Sequence, residues 1–162
     1  MSAPALNSLN AAAAGGGITA SDRRTLQTFI AGETLAIGDA VSLDLSQVSD
    51  ADKALVVVKA DSGTATDTAF VGVVTKSLDV DGALTVGKKI EVCVAGPCEA
   101  NVDAATVAGS ILQIGSTAGR LSVRTVAVDE NGTATFNLYP IAAVACEADA
   151  SNVATVMVYR QF

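Results

Sequence analysis

From Arg24 onward, hydrophobic and polar positions alternate with a period of two rather than 3.6. Leu26, Thr28 and Ile30 interleave with Thr25, Gln27 and Phe29, and Gly32 closes the segment. Leu55–Val58 is a β-branched run suited to a strand covered on both faces. The same pattern predicts strands at 70–76, 89–95, 99–102, 110–114, 121–128, 133–138, 141–146 and 153–160. Turn-forming residues separate them: Gly38-Asp39, Asp61-Ser62-Gly63, Asp81-Gly82, Gly96-Pro97, Gly115-Ser116, Asn131-Gly132 and Ser151-Asn152. Short strands with such regular punctuation predict an all-β fold, a small β-barrel or β-sandwich. Single helical turns are expected only at 48–54 and 103–108, with Ser49 and Asp103 as N-caps.

The order of features repeats along the chain. Gly38–Leu43, 54–60, Phe70–Val74 and Ile90–Val94 are echoed by Gly109–Leu112, 119–127, Pro140–Val144 and Val153–Val158. This predicts two similar halves closing into one barrel. The third strand of each half, Val71-Gly72-Val73-Val74 and Ile141-Ala142-Ala143-Val144, carries small residues where layers or backbones approach closely. The first 22 residues break the pattern. They hold no charge before Asp22, and Ala11 to Ala14 run into Gly15-Gly16-Gly17, which stops a helix. Residues 1–23 therefore read as an extended, flexible N-terminal arm and 24–162 as the β domain. An arm of this length reaches at most about 70–80 Å, with Leu6, Leu9 and Ile18 as its apolar anchors and Arg23 and Arg24 at its base.

Composition narrows the function. Of 162 residues, 50% are hydrophobic, but 30 are alanine and 21 valine, so the apolar side chains are mostly small. The chain has no His and no Trp. That removes imidazole acid–base catalysis, Ser-His-Asp and Cys-His sites and His-containing zinc sites. A net charge of -7 disfavours a nucleic-acid partner. No apolar run reaches the roughly 18 residues of a membrane span, and no secretory leader is visible, so synthesis in the cytosol is expected.

Three cysteines, Cys93, Cys98 and Cys146, fit reduced thiols better than a disulfide framework. A turn at Gly96-Pro97 would nevertheless bring Cys93 and Cys98 together, so a bridge competes there with small buried thiols. Gly82–Lys89 approaches a phosphate-loop pattern, but Lys89 stands where Ser or Thr is needed and an alternating strand follows; a hairpin connection is the better reading. Asp79-Val80-Asp81-Gly82 lacks the glycine and glutamate positions of a calcium loop. The pairs Asp50/Asp52 and Asp129/Glu130 sit in polar turns, and Asn131-Gly132 reads as a hairpin turn. No cofactor, no metal site and no catalytic set is expected.

Gly38-Asp39-Ala40-Val41, Phe70-Val71-Gly72-Val73-Val74 and Ile90-Glu91-Val92-Cys93-Val94-Ala95-Gly96 resemble the small β-rich capsid decoration (cement) proteins of tailed bacteriophages. Thr117–Leu121, Ile141–Ala148 and the closing Val-rich strand extend the resemblance over roughly residues 32–160. Ala142 replaces the family's glycine, and the acidic loop Glu147–Asn152 is longer. The resemblance implies a homotrimer on the outer surface of the virion that clamps neighbouring subunits of the major capsid protein, with no catalytic residues. The base and anchors of the arm (Leu6, Leu9, Ile18, Arg23, Arg24) would supply the interface. A carbohydrate-binding or adhesin β-module is the alternative, with Tyr139 and Tyr159 as its only tyrosine platforms.

Overall fold

The computed structural model describes residues 23–64, 69–103, 105–124 and 141–159, with the backbone of 127–128 and 134–135. The predicted arm up to residue 22, with Leu6, Leu9 and Ile18, lies outside the described residues. Of those described, 47% are in strands and 6% are helical, so the all-β class is correct. The strands in chain order are β1 (Thr25–Ala31), β2 (Ala40–Leu43), β3 (Val56–Lys59), β4 (Phe70–Ser77), β5 (Lys89–Asn101), β6 (Ile111–Ile114), β7 (Leu121–Val123), β8 (Ala127–Val128), β9 (Ala134–Thr135), β10 (Ala143–Ala145) and β11 (Val153–Val158). One short helix, α1 (Asp50–Leu55), precedes β3.

Nine strands form one sheet in the order β1-β3-β2-β4-β5-β11-β10-β6-β7, and an additional β1–β5 pairing curls the first five into a ring. β1 runs parallel to β3 (Ile30↔Val56) and antiparallel to β5 (Phe29↔Ile90). The remaining strands continue as a ribbon from the second part of β5, where Ala100 faces Ala154. The isolated bridge Val102↔Leu121 returns the far edge of that ribbon toward the end of β5. The expected single barrel, closed jointly by both halves, is not what forms. Ring closure uses only strands up to residue 101, because β5 is long enough to leave the ring and start the ribbon.

That length is the main departure from the expectation. Gly96-Pro97 is not a turn between two strands; β5 runs through it without interruption. Gly96 adopts φ +99°, a backbone conformation open to glycine, and it bends the strand instead of ending it. The consequence is visible in the core. Ile90, Val92 and Val94 pack into one apolar cluster with Phe29, Val41, Val57 and Val74. Past the bend, Cys98, Ala100 and Val102 join a second cluster with Leu112, Ile114, Leu121 and Val156.

Small residues sit where strands crowd. A Cβ on Gly72 would lie 2.9 Å from both the Cys93 carbonyl carbon and Val92 Cγ1. Ala142 and Ala143 are fully buried. Polar groups weld the loops: Asp39 accepts from the Ala36 amide (2.8 Å) and from Asn101 Nδ2 (2.9 Å), and the amide of Ala40 donates to the Gly119 carbonyl at 2.8 Å. Segments of the first and second parts of the chain are thereby tied together.

Several boundaries differ from the sequence reading. Leu55 ends α1 rather than opening β3, and in β3 only Val57 is buried, so that strand is covered on one face. The helix at 50–55 has Ser49 at its N-cap position without a side-chain cap bond. Among the described residues of 103–108 no helical turn forms: Ala105 has φ 69°, and Thr106 Oγ1 donates to the Asp103 carbonyl (3.1 Å). The expected strand at 121–128 is split into β7 and β8. β8 and β9 pair antiparallel through Ala127↔Thr135 and Val128↔Ala134, while the expected hairpin turn at Asn131-Gly132 lies outside the described residues. Ser151 and Asn152 both have positive φ, 56° and 63°, in the tight turn closed by Ala150↔Val153.

Candidate functional site at the bend of β5

Period-two geometry places residues five apart on opposite faces of a straight strand. Cys93 and Cys98 nevertheless share one core cluster, because the bend at Gly96 intervenes. The Cys93 thiol donates toward the Ala95 carbonyl at 3.4 Å and the Gly96 carbonyl at 3.8 Å, following the chain as it turns. Both cysteines are buried and unbridged, whereas Cys146 is exposed. The competing disulfide is therefore not present, and the small-buried-thiol reading describes this state.

The base of the predicted arm lies across the same bend. A Cβ on Gly96 would come 2.6 Å from Arg24 Cα and 3.0 Å from the Arg23 carbonyl carbon. From there β1 runs along β5, with Thr25 opposite Ala95, Leu26 opposite Cys93 and a register shift between them. Arg23 is exposed; Arg24 is half-buried. Arg24 lines a cavity of about 330 Å³ together with Ile37, Thr75, Cys98, Glu99 and Thr155. Its Nε is buried without a hydrogen-bond partner among the described residues.

Electrostatics divide the two thiols. The hydrogen bond from Cys98 holds Cys93 below the ordinary thiol range, against burial, with the Arg24 charge acting in the same direction. The same hydrogen bond, then burial, pushes Cys98 up. One proton thus leaves the pair more readily than the second, beside a cation and next to a small cavity.

The other candidate residues are occupied by local structure. Gly82–Lys89 forms the connection between β4 and β5, as the hairpin reading expects, and Lys88 Nζ reaches Asp81 Oδ2 at 2.8 Å and Asp79 Oδ2 at 4.0 Å. Asp81 Oδ1 also accepts from the Ala83 amide, and Asp79 Oδ2 from that of Lys89, so both carboxylates brace the loop. Asp50 pairs with Lys53 at 3.3 Å on the exposed helix. Asp129, Glu130 and Tyr139 lie outside the described residues; Tyr159 is half-exposed just past β11. Among the described residues no group of three His, Cys, Asp or Glu side chains is placed to hold a metal ion. No helix among them is long and apolar enough to cross a membrane.

Sequence reasoning singles out Arg23 and Arg24 and also the Cys93/Cys98 pair, but as unrelated features. Their juxtaposition depends on β1 crossing β5 at Gly96, and the readable signal is the Gly-Pro inside an otherwise alternating run. No protein-family model matches the chain, and no curated protein sequence matches it either.

Proposed function

We propose that this protein is a structural component of a phage virion: a homotrimeric decoration protein that binds the outer surface of the head and clamps subunits of the major capsid protein. The observation that carries this reading is the placement of the segments resembling that family. Gly38–Val41, Phe70–Val74 and Ile90–Gly96 fall on the β2 turn, β4 and β5, which are consecutive neighbours in the sheet. In this reading the two halves of the chain are related modules sharing β5, and residues 1–23 reach onto a neighbouring subunit.

The remaining features suit a clamp. Ile37, Val48, Val80, Val86 and Val107 are exposed on loops, apolar contact points for a partner rather than a substrate pocket. A trimer multiplies such weak contacts, because its second and third arms bind at high effective concentration. The acidic surface keeps the free protein soluble and away from nucleic acid.

Two measurements test the proposal. Light scattering on the full chain is expected to give three times the monomer mass, and co-sedimentation with expanded heads of the cognate major capsid protein is expected to show saturable binding. A monomer that neither binds expanded heads nor raises their melting temperature would overturn it. Deleting residues 1–22 is expected to weaken head binding while leaving the melting temperature of the free protein nearly unchanged.

A further inference from the structure

Closure of the ring leaves a stretch of β1 without a partner on one side. β1 pairs with β5 from Thr25 to Ile30, but with β3 only at Ile30 and Ala31. Two bonds fix which way each residue's backbone points. The Ala31 amide donates to the Lys88 carbonyl at 2.9 Å, toward β5, and the Gly32 amide to the Val57 carbonyl at 2.8 Å, toward β3. Backbone groups alternate sides along a strand, and the β1–β5 register is unbroken from Leu26 to Ile30. Leu26 and Thr28 therefore direct their amides and carbonyls away from β5, beside the point where β3 has not yet begun. Among the described residues no strand pairs with these four groups. Thr25, Gln27 and Thr28 are exposed and Leu26 is half-buried, so the edge is accessible.

We propose that this edge receives a strand from a second copy of the chain: residues Ile18–Ser21 of a neighbouring subunit lie along β1 and hydrogen-bond to Leu26 and Thr28. The inference rests on the reading of residues 1–23 as an arm onto a neighbouring subunit, and it names where that arm docks. An open strand edge is a template for an extended segment, whose main chain supplies the bonds. The arm supplies a fitting segment. It carries no charge before Asp22, and its two β-branched residues, Ile18 and Thr19, are adjacent. The exposed side chains of the edge, Thr25, Gln27 and Thr28, are uncharged as well. A return of the arm onto its own β1 needs a tight hairpin at residues 22–24, and such turns ask for positive φ. Neither Arg23 nor Arg24 has it, and Arg24 is packed against Gly96 on the β5 side. Donation between copies meets no such constraint. Each copy gives one arm and receives one, a heterologous contact that closes when the third copy reaches the first.

The test follows amide hydrogen exchange by NMR in the full chain, with its oligomeric state read by light scattering. The comparison chain carries Thr19→Pro and Ala20→Pro, consecutive prolines that remove amide donors from both edges of the arm segment and lie outside the β domain. In the isotope-labelled native chain the amides of Leu26 and Thr28 are expected to exchange on the order of tenfold more slowly than in the labelled double-proline chain. Adding unlabelled native chain to the labelled double-proline chain should restore that protection, because only another copy can then supply an arm. The double-proline oligomer is expected to dissociate at a concentration on the order of tenfold higher, as a few backbone hydrogen bonds are lost. Fast exchange at Leu26 and Thr28 in a native trimer would overturn this docking site and leave the arm and the trimer standing. Equal protection in the double-proline chain, or protection that survives dilution to the monomer, would overturn it too, by assigning the edge to another segment or to the chain's own arm. A native chain that is monomeric at every concentration would overturn the trimer and this inference together.

Discussion

The bend at Gly96 makes a quantitative demand on the residue that occupies it. Gly96→Ala meets two costs. With φ +99°, an L-residue loses about 1–2 kcal/mol to the backbone conformation alone. Its Cβ would also fall 2.6 Å from Arg24 Cα, where ordinary contacts begin at 3.4 Å, and the obstruction is backbone that cannot rotate away. Forcing that segment aside adds about 1–3 kcal/mol, the usual range for overpacking. The sum, about 2–5 kcal/mol, is a large share of the roughly 5–15 kcal/mol that holds a domain together. Gly82 provides the control: its φ is +68°, and a Cβ there would have nothing within 4 Å, so Gly82→Ala incurs only the conformational part. Urea denaturation of both variants at neutral pH separates the two effects, and hydrogen exchange at the start of β1 should rise only in Gly96→Ala. If the two variants agree within about 0.5 kcal/mol, the packing of Arg23-Arg24 on the bend is refuted.

Two further outcomes follow from the core and from a loop. Leu112 is fully buried in the cluster of the second sheet part, so Leu112→Ala should lose about 2–5 kcal/mol in urea denaturation; a loss under about 1 kcal/mol would mean that the cluster collapses freely around the gap. Asp44 accepts from the Ser46 hydroxyl and amide and from Gln47 Nε2, and the Ser46 hydroxyl bond is the chief reason its carboxyl is held below 3.8, against the opposing effect of burial. A depressed folded value stabilises above the unfolded value, and that stabilisation is lost as pH falls through the folded one. Asp44→Asn should therefore be less stable than the native chain by about 1 kcal/mol at pH 7, with the gap closing as the pH drops below 3.8; a gap constant across that range would show that the charge is irrelevant.

Local chemistry was legible in the sequence, and long-range pairing was not. Phe70–Lys76, Lys89–Ala95 and Val153–Val158 were identified as strands because their side chains repeat every second residue, although Phe70–Val74 is buried on both faces. Ser151-Asn152 and Gly38-Asp39 were readable as turns, since few residues accept the positive φ seen at Ser151, Asn152 and Gly38. Gly96-Pro97 misled for the same reason. A turn and a bend inside a continuous strand ask for the same residues, and only the partner strands decide between them; here β11 pairs straight through, with Met157 opposite Pro97. The ring closure had no local signal, because Ile30 finds Val56 and Phe29 finds Ile90 across long stretches of chain. Arg24 was identified as a boundary residue, but its burial beside Cys98 follows only from that closure.

Because β5 belongs to both the ring and the ribbon, the two parts of the molecule are joined by covalent backbone as well as by paired edges. A force drawing them apart is shared between that strand, through Gly96, and the loop bonds from the Ala40 amide to the Gly119 carbonyl and from the Gly119 amide to the Ala60 carbonyl. Seams between strands yield one bond at a time when peeled, while a shared strand loads its neighbours in shear, many bonds together. Pulling the ring from the ribbon therefore loads β5 and these loop bonds together, with Gly96 as the point where the strand changes direction.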